Sequence, residues 1–124
     1  DIDQEVYFCE IDWQNYIKSF NHEFSFSSIS KFPEVKRDLS LVLSKEKKFK
    51  EISHIIDKNR RNIIKNYSLY DIYEGENIGD KKIAYALRFV LQDVNKTLEE
   101  KTINSTMENL IRNFEKILGA EIRK

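Results

Sequence analysis

The spacing of apolar residues in successive segments between residues 31 and 124 constrains the fold of this chain more than any other feature. An apolar residue at every second position predicts a strand, because alternate side chains of a strand share one face. An apolar residue at every third or fourth position predicts a helix with a single apolar stripe. The patterns predict, in order, a strand, a helix, two strands, a helix and a final strand.

Three long strands and one short strand are predicted. Residues 37–44 place Leu39, Leu41 and Leu43 on one face. The second strand covers 66–73, the third covers 82–92, and 120–123 form the last. In the third strand, one face is apolar and the other is mixed. The apolar face carries Ile83, Tyr85, Leu87, Phe89 and Leu91, and the mixed face carries Ala84, Ala86, Arg88 and Val90.

Two helices are predicted between these strands. The first covers about 49–64, with an apolar stripe of Phe49, Ile52, Ile55, Ile56 and Ile63. The second has a capping-box pattern, in which Thr97 is followed by Glu100. It ends at Gly119, because glycine commonly follows the last turn of a helix. Its apolar stripe comprises Ile103, Met107, Leu110, Ile111, Phe114, Ile117 and Leu118.

The order βαββαβ predicts an α+β ferredoxin-like sandwich, in which two helices cover one face of an antiparallel four-stranded sheet. Both helices must lie on the same face, because each has only one stripe to bury. The opposite face then carries the remaining side chains of the strands. These side chains are small or polar, as an open binding surface would be: Asp71, Tyr73, Ala84, Ala86 and Arg88.

Residues 1–30 are predicted to be an N-terminal extension or linker from a preceding module, and 31–124 the compact domain. Residues 5–11 predict a short strand, and Asp12 is expected to cap a helix that reaches about Phe20. Residues 21–36 predict an extended connector that packs through its apolar side chains. Those side chains are Phe24, Phe26, Ile29 and Phe32. Because the chain begins at Asp1, we expect it to be a piece of a longer protein.

Composition narrows the class of protein. The chain has 124 residues and no net charge, and 34% of its residues are charged, which is typical of a globular domain. No apolar run approaches the roughly 18 residues of a membrane span, so no membrane partner is expected. The single cysteine, Cys9, cannot form an intrachain disulfide, which favours a cytoplasmic location.

The charge is unevenly distributed, because residues 45–66 carry eight basic residues against three acidic ones. Such a segment can follow a phosphate backbone even in a neutral protein. The alternative interpretation is a solvated helix face.

Several kinds of catalytic site are disfavoured by the motifs. The turn after the first strand, KEKKFK, lacks the glycines of a phosphate-binding loop. Cys9, His22 and His54 do not have the spacing of metal ligands. We therefore predict no catalytic residue and no metal site, and a free-standing hydrolase lacks a candidate nucleophile.

The segment YSLYDIYEG, residues 67–75, suggests RNA binding. Strand alternation predicts Leu69, Asp71 and Tyr73 on one face, with Tyr70 and Ile72 on the other. On an open face, an aromatic ring can stack on a nucleobase and a carboxylate can accept from base N–H groups. The alternatives are that Asp71 is a buried group bonded to the backbone and that Tyr73 is a packing aromatic.

Four motifs in this order resemble the ferredoxin-fold anticodon-binding domain that ends the β subunit of bacterial phenylalanyl-tRNA synthetase. They are FPEVKRDLSLVL (32–43), LYDIYEG (69–75), LQDVNKTLEE (91–100) and GAEIR (119–123). The resemblance implies that the open face receives the anticodon loop of phenylalanine tRNA, that Tyr73 stacks on an anticodon base and that Asp71 bonds its edge. A Lys-Ser pair is usual in the family where this chain has Ile83 and Ala84, so Lys81, Lys82 or Arg88 is expected to contact phosphate instead. The candidate RNA-binding residues are Asp71, Tyr73, Ala84, Arg88, Lys82 and Arg37.

The resemblance also implies that this fragment has no catalytic activity of its own but is part of an enzyme, phenylalanine-tRNA ligase, a class II aminoacyl-tRNA synthetase. Its partner in the full heterotetramer would be the α subunit, which handles ATP, magnesium and phenylalanine, so no cofactor is expected in the fragment. The alternative is a ferredoxin-like protein-interaction or ligand-sensing module, which a continuous apolar patch on the open face would favour.

Overall fold

The computed structural model describes residues 2–20, 26, 29–59 and 63–123. Its elements are α1 (Trp13–Ser19), β1 (Val35–Ser44), α2 (Phe49–Lys58), β2 (Ile64–Tyr73), β3 (Lys82–Leu91), α3 (Glu100–Leu118) and β4 (Glu121–Arg123). A single 3-10 turn, Glu76–Ile78, lies between β2 and β3. The order that follows α1 is βαββαβ, which confirms the predicted ferredoxin-like fold.

The sheet has the strand order β2-β3-β1-β4, and its strand pairs are antiparallel. The two central strands, β1 and β3, pair without interruption from Val35 opposite Leu91 to Ser44 opposite Lys82. The short strand β4 extends the sheet by placing Arg123 opposite Ser40. Residues that are distant in sequence are thereby brought into rows across all four strands.

The core lies between the sheet and the two long helices. The predicted apolar faces of β1 and β3 are buried, as are most residues of the predicted stripes of α2 and α3. The side chains that are almost completely buried include Leu41, Leu87, Phe89, Ile52, Ile56, Ile103, Leu110 and Phe114. Because both helices contribute to this one cluster, they cover the same face of the sheet and leave the other face open.

The first long helix is shorter than predicted. It ends at Lys58 and not near 64, and the Asn59 side chain donates to the carbonyl of Ile55 at 2.8 Å, which closes the last turn. Ile64 is instead a buried residue of β2. The apolar side chain at Ile64 therefore reaches the core from a strand, which the helical spacing did not indicate.

The predicted cap of α3 is wrong, although its predicted end is confirmed. The N-cap is Glu99, whose side chain makes no capping hydrogen bond, and Thr97 is exposed two residues earlier. Leu98 between them is buried in the core, so the chain enters the helix later than the capping-box pattern suggests. Gly119 ends the helix with φ +65°, a conformation that favours glycine. Ile117 is 56% exposed and does not belong to the buried stripe.

The N-terminal predictions are partly confirmed. Asp12 caps α1 by accepting a hydrogen bond from the Asn15 backbone N–H at 3.1 Å. Residues 5–11 do not form the predicted strand, since the first strand in the described part of the chain is β1, which begins at Val35. Phe26 and Ile29 are both 94% exposed, so the predicted packing of the connector is wrong for these two. Phe24 lies outside the described residues.

Phe32 joins the connector to the sheet. Its side chain is partly buried, and its carbonyl accepts a hydrogen bond from the Gln92 amide at 2.7 Å. This end of the connector therefore contacts the domain as expected. None of the helices in the described part of the chain has the length and apolar character needed to cross a membrane.

Candidate nucleic-acid interface

A bulge in β2 determines which side chains reach the open face. Leu69 pairs with Leu87, but the next pair along the strand is Asp71 with Ala86, so β2 has one more residue here than β3. An extra residue of this kind reverses the alternation of a strand. Leu69 accordingly packs against the core, whereas Tyr70 and Asp71 both line the open face. The predictions that Leu69 shares a face with Asp71, and that Tyr70 points away from it, were wrong.

Beyond the bulge, two rows of paired residues cross the whole sheet. One row runs from Asp71 through Ala86 and Ser40 to Arg123. Because neighbouring strands lie about 4.8 Å apart, the backbones at the two ends of this row are separated by about 14 Å. The middle of the row is occupied only by small side chains. The sheet therefore forms a shallow floor between an acidic and a basic residue.

The second row places Tyr73 opposite Ala84, followed by Val42 and Glu121. The first row and the Tyr73–Ala84 pair of the second row border an open cavity of about 500 Å³. Its floor is made by alanines and its walls by longer polar and aromatic side chains. The lining residues are Ser40, Tyr70, Asp71, Tyr73, Asn77, Ala84, Ala86 and Arg123.

Tyr73 is held at its hydroxyl end and is otherwise accessible. The Asn77 side-chain amide donates to Tyr73 Oη at 3.4 Å, and the Arg123 guanidinium carbon lies 5.7 Å from the ring centroid. The side chain remains 37% exposed. Tyr73 therefore lies outside the core, which argues against the alternative of a simple packing aromatic.

Asp71 is exposed at the edge of the same cavity. Its Oδ1 accepts a hydrogen bond from the Ile72 backbone N–H at 2.9 Å, which fixes the carboxylate relative to the strand. Within the described part of the chain this is the one hydrogen bond made by the carboxylate. The interpretation of Asp71 as a buried polar group therefore does not fit, and the second oxygen can accept from a ligand.

Arg88 lies on the open face, as predicted, but it is already paired. Its guanidinium donates to both carboxylate oxygens of Asp38, and it lies 4.9 Å from the centroid of the Tyr70 ring. The hydrogen bonds from Arg88 hold the pKa of Asp38 below its ordinary value and raise the pKa of Arg88. A phosphate group that approached Arg88 would compete with Asp38.

The other two basic candidates lie outside the cavity. Lys82 forms an ion pair with Glu121 and borders an adjoining cavity of about 420 Å³, which shares Asn77 and Arg123 with the first. Arg37 pairs with Glu100 at 2.7 Å, in the first turn of α3. Because α3 covers the opposite face of the sheet, Arg37 is not brought together with Asp71 and Tyr73.

Sequence patterns missed four of the residues that line the cavity: Ser40, Tyr70, Asn77 and Arg123. Ser40 was recognisable as a residue on the polar face of β1, and Arg123 as the neighbour of the apolar Ile122. Their place in one row, however, depends on pairing between strands that are distant in sequence. No local sequence pattern predicts the bulge at Tyr70 or directs Asn77, in the turn after β2, toward the cavity.

The side chains that line this cavity are suited to binding a planar, polar ligand. Two aromatic rings can stack on a planar ligand, Asp71 can accept hydrogen bonds, and Asn77 and Arg123 can donate them. Among the described residues, no three His, Cys, Asp or Glu side chains gather as a metal site would require.

Comparison of the sequence with known proteins identifies the family of this chain. The family described as ferredoxin-fold anticodon binding domain matches residues 30–123. The chain is 42% identical over 124 residues to the phenylalanine–tRNA ligase beta subunit of Bacteroides fragilis. This match covers 99% of the chain and 15% of the relative. It is 36% identical to the beta subunit of Porphyromonas gingivalis, in a match that covers 99% of this chain and 15% of the relative. It is 30% identical to the beta subunit of Clostridium acetobutylicum, in a match that covers 99% of this chain and 16% of the relative.

This chain thus spans about 15% of the length of the curated relatives it matches. The family match covers most of the chain, including all four strands of the sheet and both helices of the core. From this match and the observed fold, we conclude that the chain belongs to the ferredoxin-fold anticodon-binding domain family.

Proposed function

We propose that this chain is the anticodon-binding domain of a phenylalanine-tRNA ligase β subunit, and that it positions phenylalanine tRNA for aminoacylation. The observation that carries the proposal is the cavity on the open face. It combines an exposed carboxylate, an accessible aromatic ring and a guanidinium in a chain that belongs to an anticodon-binding family.

In the proposed complex, one unpaired anticodon base enters the cavity and stacks on Tyr73. Asp71 accepts hydrogen bonds from the N–H groups on the edge of the base. The small side chains of Ala84 and Ala86 let the base approach the sheet closely. The Arg123 guanidinium lies over the Tyr73 ring, with its carbon 5.7 Å from the ring centroid, and it can contact the phosphate backbone of the loop. One such stack contributes about 1–3 kcal/mol to binding.

The lining of the cavity supports RNA over a protein partner on this face. A protein-binding surface is expected to have a continuous apolar centre with few charges. Here the two tyrosines share the lining of the cavity with three polar or charged residues, Asp71, Asn77 and Arg123.

The lysine-rich segment after β1 supports only a local contribution to phosphate binding. Lys45 forms an ion pair with Glu74 at 2.6 Å, and Lys47 forms one with Glu51 at 3.3 Å. These acids neutralise part of the segment, so the proposed RNA contact does not depend on a broad basic surface.

Catalysis is assigned in this proposal to the rest of the enzyme. The α subunit would be the partner that handles ATP, magnesium and phenylalanine, and this domain would bind no cofactor. The enzyme would act in the cytoplasm, which is compatible with the exposed free thiol of Cys9. The matched relatives are beta subunits, and this chain spans about 15% of their length, which is compatible with catalysis elsewhere in the enzyme.

The test is a titration of labelled phenylalanine tRNA and of the same tRNA with an altered anticodon. The chain should bind the first more tightly, and Tyr73→Ala should weaken that binding. Tyr7→Ala is the matched control, because Tyr7 is an exposed tyrosine of the N-terminal extension and does not line the cavity. Equal binding of the two tRNAs, or an unchanged affinity in Tyr73→Ala, would refute the proposed function.

A further inference from the structure

We infer that Gly75 is a positioning residue for the anticodon-binding cavity, because the absence of a side chain at this position makes room for the phenol of Tyr73. The inference rests on the proposed function for its consequence in binding. Its structural content concerns the two residues alone and can be tested without RNA.

The backbone of Gly75 does not require glycine. Its φ of 174° and ψ of 167° describe an extended conformation that any residue can adopt. Gly79 and Gly119 differ in this respect, because their φ values of +90° and +65° favour glycine. An added Cβ at either of those positions would meet no heavy atom within 4 Å. Glycine at 75 therefore has a steric explanation and not a conformational one.

The three atoms nearest to an added side chain all belong to Tyr73. A Cβ on residue 75 would lie 2.4 Å from Tyr73 Oη, 2.8 Å from Cζ and 3.3 Å from Cε1. Non-bonded carbon atoms normally approach to about 3.5–4.0 Å, so the first two distances cannot be tolerated. Since the closest atoms belong to the end of one side chain, the ring must move and the backbone can stay in place.

Other contacts define where the ring is now. Asn77 donates to Tyr73 Oη at 3.4 Å from the 3-10 turn that directly follows Gly75. The guanidinium of Arg123, on β4, lies over the ring, and Ala84 is the residue paired with Tyr73 on β3. The turn thus sets the position of the ring through the hydrogen bond at residue 77 and the space at residue 75. A methyl group at residue 75 would displace the stacking surface that we propose for the anticodon base.

The structural test is an aromatic NMR spectrum of the full 124-residue chain with Gly75→Ala. We expect the ring signals of Tyr73 to shift while the melting temperature stays close to that of the parent. Gly79→Ala is the matched control, since it adds the same methyl group to the same loop. It should lower the melting temperature through its strained φ and leave the Tyr73 signals in place. Unchanged Tyr73 signals in Gly75→Ala would overturn the inference.

The binding test uses the same phenylalanine tRNA. Complete loss of one base–aromatic stack weakens binding about 5-fold to 150-fold, and we expect Gly75→Ala to reach at least the lower end. Adding Tyr73→Phe to Gly75→Ala should restore part of the affinity, because it removes Oη, the nearest atom. Adding Tyr73→Ala should cause no loss beyond that of Tyr73→Ala alone. Additive losses in the Gly75→Ala, Tyr73→Ala double variant would show that residue 75 acts independently of Tyr73.

The two tests separate this inference from the proposed function. If Tyr73→Ala alone leaves anticodon binding unchanged, the proposed function fails. The NMR comparison of Gly75→Ala with Gly79→Ala then still decides whether Gly75 positions the ring.

Discussion

Arg88 and Asp38 face each other across the two central strands and form a bidentate pair. Arg88 Nε donates to Asp38 Oδ1 at 2.8 Å, and Nη2 donates to Oδ2 at 2.7 Å. The same guanidinium lies 4.9 Å from the Tyr70 ring on β2. One side chain therefore links three strands on the open face, next to the cavity.

This pair should make stability depend on pH in the acid range. The hydrogen bonds from Arg88 lower the pKa of Asp38 from its ordinary value of 3.8. A depressed pKa stabilises the fold above pH 3.8, and this contribution is lost as the pH falls through the lower pKa of the folded state. Asp38→Asn should therefore lower the melting temperature slightly at pH 7, and the difference should disappear at strongly acid pH.

The size of that effect is expected to be small, because the pair is accessible to solvent. Asp80→Asn is the matched control, since it removes the same charge from the exposed loop before β3. Melting curves between pH 7 and pH 2 are the measurement. A difference between Asp38→Asn and the parent that grows as the pH falls would contradict the assigned direction.

Two neighbouring residues of α3 should differ sharply in their contribution to stability. Phe114 is fully buried, so Phe114→Ala should reduce the free energy of unfolding by about 3–5 kcal/mol. Ile117 is 56% exposed, and Ile117→Ala should change it by no more than about 0.5 kcal/mol. Urea unfolding of the two variants makes the comparison, and similar losses would mean that the helix is rotated from the described orientation.

The fold could be predicted from the sequence because its signals are local. Alternation in β1 and β3 and the stripe of α3 each lie within about twenty residues, and Gly119 marks its own helix end. The capping-box pattern at Thr97 is equally local, but burial of Leu98 decides where the helix begins. A local pattern fails where a contact with the core competes with it.

The site could be predicted only in part, because its geometry depends on pairing between strands. Asp71 and Tyr73 were identified from chemistry, and they do line one cavity. The bulge that brings Tyr70 to the same side exists only relative to β3. Arg123 reaches the site through the register of β4 with β1, more than eighty residues away in sequence.

The salt dependence of RNA binding should show which basic residues contact phosphate groups. Each phosphate contact contributes about 0.7–0.9 to the slope of log affinity against log salt concentration. Arg123→Gln should lower the magnitude of this slope by about that amount, because Arg123 lines the cavity. Arg37→Gln should leave it unchanged, because Arg37 pairs with Glu100 on the helix side. A loss of slope with Arg37→Gln instead would mean that the RNA lies on a different surface.

Asp71→Asn should reduce discrimination between anticodons, because it should weaken binding of the cognate tRNA and leave binding of the tRNA with the altered anticodon unchanged. The amide can still accept one hydrogen bond, but it lacks the charge that favours the N–H groups of the cognate base edge. A hydrogen bond to a charged group contributes about 1.5–3 kcal/mol and one between neutral groups about 0.5–1.5 kcal/mol, so the ratio of the two dissociation constants should fall roughly 5-fold to 12-fold. Titration of both tRNAs measures that ratio. Asp80→Asn should preserve it, and an unchanged ratio in Asp71→Asn would remove this carboxylate from the reading of the base.

Ala84→Ser tests the floor of the cavity, where the family resemblance implies a hydroxyl group. Ala84 is paired with Tyr73 and is only 4% exposed, so a serine hydroxyl would be shielded from solvent beside the stacked base. A new hydrogen bond between uncharged groups contributes about 0.5–1.5 kcal/mol, which predicts roughly 2-fold to 10-fold tighter binding of phenylalanine tRNA. Ala84→Cys is the control, because a thiol of similar size is a weak hydrogen-bond donor and should give little gain. Affinity for the tRNA with the altered anticodon should not increase, and an equal gain for both tRNAs would mean that the hydroxyl does not contact the base.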